Sequence, residues 1–419
     1  MIVVVIGGGL AGCEASLQLS QRGVRVKLFE MRPLRNTPAH KTNLLAELVC
    51  SNSLKSCEIS NGHGLLKEEL KLLNSVLLKV AYESRVPAGK SLSVDRLKFA
   101  HRITGMIEND KNIELIKSEV TDIPDGLTVI ATGPLTSDRL AESLSKFLGR
   151  DFLFFYDAIS PIISYDSIDL NKTFRGARYG IDDSYINCPL NKSEYETFCN
   201  ALAQARTYPL HDFEDPVFFE GCRPIEDTLK TGLDTLRFGA FKPVGFDREY
   251  YAIVQLRPEN LERSMYSLVG CQTKMLISEQ ERVFRMIPAL KKAKFLRYGS
   301  VHRNTYIQAP ECLEPTLATK KRPDLFLAGQ ITGVEGYVES IATGLLAGIN
   351  IYRTISGLQP IVPPPETMVG GLIKYITTPN PHFAPMNANF GLLPNREGRR
   401  EKASRSLEVL KEWMRREKI

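Results

Sequence analysis

The chain begins with an unbroken apolar run, Ile2 to Ile6, turns through Gly7-Gly8-Gly9-Leu10-Ala11-Gly12, and then spaces Leu10, Leu17 and Leu19 as a helix does. A short continuous apolar run suits a strand covered on both faces, and the change of period predicts a helix directly after the turn. Gly23 predicts the helix stop, and Val24-Arg25-Val26-Lys27-Leu28 alternates as a second strand ending at Glu30. Two further buried strands are predicted at Val129 to Ala131, closing on Thr132-Gly133, and at Asp324 to Ala328, closing on Gly329-Gln330. The second of these leads to a helical run from Tyr337 to Ile351. Apolar residues at 66, 70, 73, 77 and 80 predict one core helix from Leu65 to Tyr82. Leu407, Leu410, Trp413 and Met414 predict an amphipathic helix that docks its apolar face, and Pro363-Pro364-Pro365 reads as a stiff connector.

Strand, glycine turn, helix, strand and acid in this register form a dinucleotide fingerprint. Gly7 makes the tight turn, Gly9 admits a pyrophosphate to the backbone, and Gly12 lets helix pack on strand. Gly8, Leu10 and Ala11 complete a turn whose N–H groups receive the anion at the helix N-terminus. Glu30, 18 positions after Gly12, stands where a carboxylate accepts from a ribose hydroxyl. A nicotinamide enzyme needs only this first site. The distant segment carrying Gly329, Gln330, Gly333, Gly336 and Tyr337, with Thr132-Gly133 beneath the cofactor, is the pairing used by two-dinucleotide-fold flavoproteins, so the expected cofactor is FAD. The expected fold is α/β: a FAD-binding Rossmann-type domain, glutathione-reductase-like, with an inserted mixed α/β domain. Residues 1–160 and 305–419 make the cofactor domain and residues 161–304 the insertion, whose text turns aromatic, Pro- and Gly-rich, as in Asp215-Pro216-Val217-Phe218-Phe219-Glu220.

At 419 residues, 43% hydrophobic and 24% charged, the chain is long enough for two or three domains and has no apolar run of membrane-spanning length. It opens directly on a core strand, so a cytoplasmic protein with reduced thiols is expected. Eight cysteines without C-x-x-C, and six histidines without ligand spacing, give no metal site. The net charge of +6 is mild but unevenly placed. Residues 396–419 hold nine Lys/Arg against five Glu, and Lys291-Lys292 to Arg303 carries Phe295 and Tyr298 among its charges, a composition suited to nucleic acid.

Two cysteines have unusual neighbours. Cys50 lies where the apolar Ala46-Glu47-Leu48-Val49 breaks into Ser51-Asn52-Ser53, and Cys222 lies in Phe219-Glu220-Gly221-Cys222-Arg223-Pro224-Ile225-Glu226. Arg223 favours a thiolate at Cys222, whereas Glu220 and Glu226 oppose it.

Over nearly its whole length the chain resembles the bacterial folate- and FAD-dependent tRNA (uracil-5-)-methyltransferases. The matching text includes Gly9-Leu10-Ala11-Gly12, Glu30-Met31-Arg32-Pro33, Thr37-Pro38-Ala39-His40, Glu47 to Leu54, Phe219 to Cys222, Lys242-Pro243-Val244-Gly245, His302-Arg303-Asn304-Thr305 and Asn389-Phe390-Gly391-Leu392-Leu393-Pro394. The resemblance implies methylation of the T-loop uridine of tRNA, with methylenetetrahydrofolate as carbon donor, reduced FAD as electron donor and NAD(P)H as reductant. It implies that Cys222 attacks uracil and that Cys50 is its partner, as a general base or as a transient trap of a flavin adduct. Arg32 joins the cofactor set, His302, Arg303, Asn304, Arg399 and Arg400 the RNA or folate set, and Tyr337 stacks on the base or packs on the isoalloxazine edge.

The chemistry accounts for the thiols. Carbon 5 of uracil is a poor nucleophile, so a thiolate adds first to carbon 6 and turns the ring into an enolate. A T-loop uridine must also be extruded before any thiol reaches it. Two alternatives stand beside this reading: the same chemistry on ribosomal RNA, and a flavoprotein oxidoreductase unrelated to RNA. A flavin disulfide reductase needs two close cysteines, but six residues separate Cys50 from Cys57, and no second glycine fingerprint offers NAD(P)H its own fold.

Overall fold

A computed structural model of the chain describes residues 1–209, 218, 222–394 and 397–419. Phe219-Glu220-Gly221, Asp215 to Val217 and Arg396 lie outside the described residues.

The opening run forms β1 (Ile2–Ile6), the glycine turn leads into α1 (Leu10–Gln21), and the chain returns as β2 (Arg25–Glu30). These strands join a five-stranded parallel sheet in the order Leu325–Leu327, Thr128–Ile130, β1, β2, Ile113–Lys117. The late strand Leu325–Leu327 therefore pairs with the much earlier Thr128–Ile130; Gly7, Ala131 and Ala328 follow strand ends on one edge, and Glu30 ends its strand there. Ligands of open parallel sheets bind beyond that carboxyl edge. The helix Tyr337–Ile355 packs along α1 at close range. A side chain at Gly344 would place its Cβ 2.3 Å from the Ala11 carbonyl oxygen, which explains the small residue there.

A second sheet has six antiparallel strands, ordered Phe174–Arg175, Ile186–Leu190, Ala252–Pro258, Met265–Leu268, Ile162–Ser164, Phe295–Arg297. It has its own buried core, including Tyr195, Phe198, Phe241, Tyr266 and Phe284. Between the two sheets runs an antiparallel ribbon, Leu153–Ile159 paired with Ser300–Tyr306. Phe155 and Tyr306 of this ribbon are buried in the first core. Alternation places Asp157, His302 and Asn304 on the same face as Phe155 and Tyr306, while Phe154, Tyr156 and Arg303 point the opposite way.

One element differs from the sequence expectation. The core helix expected from Leu65 to Tyr82 is two helices, Gly62–Leu72 and Val76–Glu83. Asn74 takes a left-handed conformation (φ +57°), and the Ser75 hydroxyl caps the next helix by accepting from Leu78 N–H at 3.3 Å. Buried Glu14 of α1 accepts from the Val76 and Leu77 amides at 3.1 and 2.8 Å, so the break is built into the core. The hydrophobic spacing continues across it, which is why periodicity alone does not reveal it.

The terminal helix Arg399–Glu417 buries Leu410 and Trp413, with Leu407 and Met414 partly covered, as its pattern predicts. No helix of the described residues is long and apolar enough to cross a membrane.

Candidate active site

Beyond the carboxyl edge of the parallel sheet lies a cleft of about 140 Å³ lined by Gly7, Gly8, Gly9, Leu10, Ala11, Glu30, Arg32, Thr132, Gly133, Gly329, Gln330 and Tyr337. Gly9 caps α1 in an extended conformation with no capping side chain, and the first intrahelical bond runs from Cys13 N–H to the Gly9 carbonyl at 2.9 Å. The amides of residues 10 to 12 therefore lack helical acceptors, and the positive end of the helix faces the cleft. No acidic residue stands in its first turn. A Cβ built on Gly9 meets nothing within 4 Å among the described residues, whereas one on Gly7 would lie 2.5 Å from the Ala131 carbonyl oxygen and one on Gly12 1.9 Å from that of Gly7. Gly9 thus opens onto free space while Gly7 and Gly12 hold strand and helix together. A cleft with free amides and no Cβ at its floor fits a dinucleotide pyrophosphate.

Glu30 differs from a simple ribose acceptor. Its Oε1 accepts from the Arg32 backbone N–H and Nε, both at 2.9 Å, and its Oε2 from Gly8 N–H at 3.0 Å and Arg32 Nη2 at 3.2 Å. These four donors match the lone-pair capacity of a carboxylate. Burial alone would raise the Glu30 carboxyl, but Arg32 outweighs burial and holds it below the usual range. Arg32 also reaches Glu47 at 3.3 Å, so the Glu30–Arg32 pair braces the turn. Gly333 lines neither this cleft nor the cavity beside it: with φ +86° and the Phe383 ring 2.4 Å from where its Cβ would be, it makes a packed turn.

The second cavity, of about 270 Å³, shares Val49, Pro134, Leu135, Gln330 and Tyr337 with the first. The thiols of Cys50 and Cys222 and a carboxylate oxygen of Asp157 meet in it, all within 4.8 Å of one another. The loop bearing Cys50 is fixed from three sides. Arg96 donates to the Leu48 carbonyl at 2.9 Å and the Cys50 carbonyl at 3.4 Å, while its Nε is paired with Glu259 at 2.6 Å. Arg297 donates to the Val49 carbonyl at 2.6 Å. The Tyr337 hydroxyl accepts from the amides of Cys50 and Ser51 at 2.9 and 3.1 Å. Tyr337, expected to stack on base or flavin, has its hydroxyl committed to clamping the thiol loop in the wall between the cavities, because its position at the start of a buried helix aims it there.

The cavity buries three carboxyls, Asp157, Glu335 and Glu339, beside the cations Lys55, Arg96 and Arg257. Cys222 is held well above its ordinary value by its hydrogen bond with Cys50, by burial and by the Asp157 charge. Arg223, expected to favour a thiolate, is not among the groups that act on it. Burial raises Asp157 to about 6, against hydrogen bonds from Cys222 and Asn304 and the nearby Lys55. Burial and Asp157 raise Glu335 to about 8, and its Oε2 accepts from Gln330 Nε2. Burial would also raise Glu339, but the His63 hydrogen bond at 3.0 Å and Lys55 hold it down at about 2. Gly336 fits against this carboxylate, since a Cβ there would lie 2.2 Å from Glu339 Oε2.

The strand Ser300–Tyr306 divides its candidates by alternation. His302 and Asn304 line the thiol cavity, whereas Arg303 lines a separate outer groove with its guanidinium 4.1 Å from the centre of the Phe154 ring. Burial and the cations Arg297 and Lys41 lower His302 to about 4, so its ring is neutral at physiological pH. Arg399 and Arg400 begin the exposed terminal helix and line none of these cavities, because that helix docks through Leu410 and Trp413 on the far side of its first turn. Asp157, Lys55, Glu335, Arg96 and Arg297 escape the sequence reading. A signal existed for Asp157: it is the one charge in Phe152-Leu153-Phe154-Phe155-Tyr156-Asp157-Ala158-Ile159.

Comparison with known proteins agrees with this architecture. The family described as Glucose inhibited division protein A matches residues 2–359. A solved structure of GidA from Aquifex aeolicus superposes with a TM-score of 0.70 at 19% identity, covering 98% of this chain and 73% of that one, which shows the fold. A relative from Persephonella marina named Methylenetetrahydrofolate--tRNA-(uracil-5-)-methyltransferase TrmFO is 51% identical, over 98% of this chain and 97% of its own length. One of the same name from Geobacter sulfurreducens is 53% identical over 98% of both chains. Identity at this level over nearly the whole of both chains shows that the chain belongs to the TrmFO family.

Proposed function

We propose that this protein methylates carbon 5 of a uridine in tRNA, the T-loop uridine, taking carbon from methylenetetrahydrofolate and electrons from FAD that NAD(P)H has reduced. The observation that carries the reading is the joining of the two cavities: paired thiols, Cys50 and Cys222, open across one wall from a pyrophosphate cleft. FAD supplies hydride chemistry when bound. Gly7 to Gly12 hold its pyrophosphate, Glu30 and Arg32 brace the ribose end, and Thr132, Gly133, Gly329 and Gln330 line the remainder.

On this reading Cys222 adds to carbon 6 of the extruded base. Burial and the contact with Cys50 hold this thiol protonated at rest, so forming the thiolate requires the substrate to break that contact. Tyr337, Arg96 and Arg297 keep the Cys50 sulfur from drifting by fixing its backbone. His302 and Asn304 offer a neutral ring and an amide to base or pterin. Residues 1–160 with 305–419 supply the cofactor half and Cys50, and residues 161–304 supply Cys222. A cytoplasmic location follows from the RNA substrate.

The test is to incubate the FAD-loaded protein with unmodified tRNA, ribosomal RNA fragments, methylene-labelled folate and NAD(P)H, and to map the label. Label at the T-loop uridine is expected. Label confined to ribosomal RNA, or on neither RNA, overturns the reading.

A further inference from the structure

We infer that Asp157 is the base that removes the carbon-5 proton of the uracil ring, an inference that rests on the function proposed above. Once carbon 5 has accepted the incoming carbon it carries two substituents, and its hydrogen must leave as a proton. The C–H bond breaks, the proton passes to a carboxylate oxygen of Asp157, and the bonding pair enters the ring as an enolate on oxygen 4. No electron is gained or lost in this step, and the proton later reaches water through the cavity mouth.

Position comes first. A base bonded through carbon 6 to the Cys222 sulfur has carbon 5 two bonds from that sulfur, and an Asp157 oxygen lies within 4.8 Å of both that sulfur and the Cys50 sulfur. Asp157 sits on the ribbon strand Leu153–Ile159, directly opposite His302 in the antiparallel register, so its backbone is fixed by sheet pairing. Its Oδ1 is buried and has no hydrogen-bond partner among the described residues. A buried acceptor with an open lone pair is costly unless something occupies it during the reaction cycle.

Charge is consistent with the role. The groups facing Asp157 are Cys50, Cys222, Asn304, His302, Glu335 and Lys55. Cys222, Asn304 and Lys55 stabilise its ionised form, while burial raises its proton affinity, leaving a carboxyl that titrates at about 6. A base of that strength is ionised at physiological pH yet still accepts a proton readily. Cys50 is the competing acceptor; both it and Asp157 are hydrogen-bonded to Cys222 in the resting site, but Asp157 also keeps a second, buried oxygen with no partner among the described residues. With the proton assigned to Asp157, Cys50 is released for the other role its family resemblance implies.

The experiment compares full-length, FAD-loaded wild type, Asp157→Asn and Asp157→Ala in single turnover on tRNA carrying hydrogen, deuterium or tritium at uridine carbon 5. Wild type should release tritium to water in step with methylation, and its rate should rise with pH as Asp157 ionises near 6. Asp157→Asn should be slower by about 10²- to 10⁴-fold, lose that acidic limb and show a deuterium effect larger than that of wild type, because proton removal becomes limiting. Formate should restore part of the activity of Asp157→Ala. Wild-type rate in Asp157→Asn, or loss of rate with neither an enlarged isotope effect nor formate rescue, overturns the assignment. If wild type itself neither releases tritium nor methylates, the proposed function has failed, which is a distinguishable result.

Discussion

The nucleotide cleft is made of backbone, whereas the thiol cavity across the Tyr337 wall is made of side chains. In the cleft, Gly7, Gly9, Gly12 and Gly329 matter for what they lack, and the binding groups are amides at a helix end. In the cavity, Cys50, Asp157, Cys222, His302 and Glu335 matter for what they carry, and they arrive from five separate stretches of chain. The two halves should therefore fail in different ways. Added bulk in the cleft harms cofactor retention or folding. Lost function in the cavity leaves a folded yellow protein that cannot turn over.

The largest effect is expected at the thiols: Cys222→Ala and Cys50→Ala should each reduce methylation by at least ~10³-fold with FAD content unchanged, measured by label transfer and flavin absorbance. Full activity in either variant would erase the contrast. Next come two glycines that differ by position alone. Gly12→Ala forces a Cβ to 1.9 Å from a carbonyl oxygen and should give little soluble, FAD-loaded protein, while Gly9→Ala should fold and bind FAD about tenfold more weakly. Equal behaviour of the two in thermal melts and flavin titration would contradict the backbone account.

Tyr337→Phe probes the shared wall. It strips the acceptor from the Cys50 and Ser51 amides, so about 1–3 kcal/mol of stability and roughly 10- to 100-fold in kcat should be lost while FAD stays bound. Glu335→Gln tests the acidity of the cavity. A carboxyl whose folded value is raised from 4.5 to about 8 favours the fold fully at low pH and loses that contribution as pH rises through about 8. The variant should melt at a higher temperature than wild type at alkaline pH, and the gap should close toward pH 5. The smallest effect is expected at Arg399→Ala with Arg400→Ala. Phosphate contacts there would lower the salt slope of tRNA binding by about 1 each, with methyl transfer at saturating tRNA little changed.

The same contrast explains what could be read in advance. A glycine turn works through local geometry, so spacing alone places Gly7, Gly9 and Gly12, and the apolar runs at β1, 128–130 and 325–327 give the parallel sheet. Side-chain constellations are assembled by long-range pairing. Asp157 faces His302 because the ribbon strand Leu153–Ile159 pairs with Ser300–Tyr306, and it meets Cys222 beside the bridge between Tyr156 and Phe218, and no short window records either. Resemblance to a family supplied the two cysteines, yet not the carboxylate between them. Tyr337 and Glu30 line the cleft, but their polar atoms bind protein donors that spacing does not reveal, since a hydroxyl or carboxylate binds whichever donors the fold delivers. The break at Asn74 is a case of turn chemistry hidden under continuous hydrophobic spacing.

The account depends above all on Cys222 making a covalent bond to the base beside the flavin cleft. Substituting 5-fluorouridine at the T-loop position blocks removal of the carbon-5 substituent as a cation, so the sulfur–carbon bond should persist. With reduced, FAD-loaded protein and methylenetetrahydrofolate, a protein–RNA adduct that survives denaturation should form, and peptide mapping should find the nucleotide on Cys222. No adduct, or one that still forms in Cys222→Ala, would contradict it.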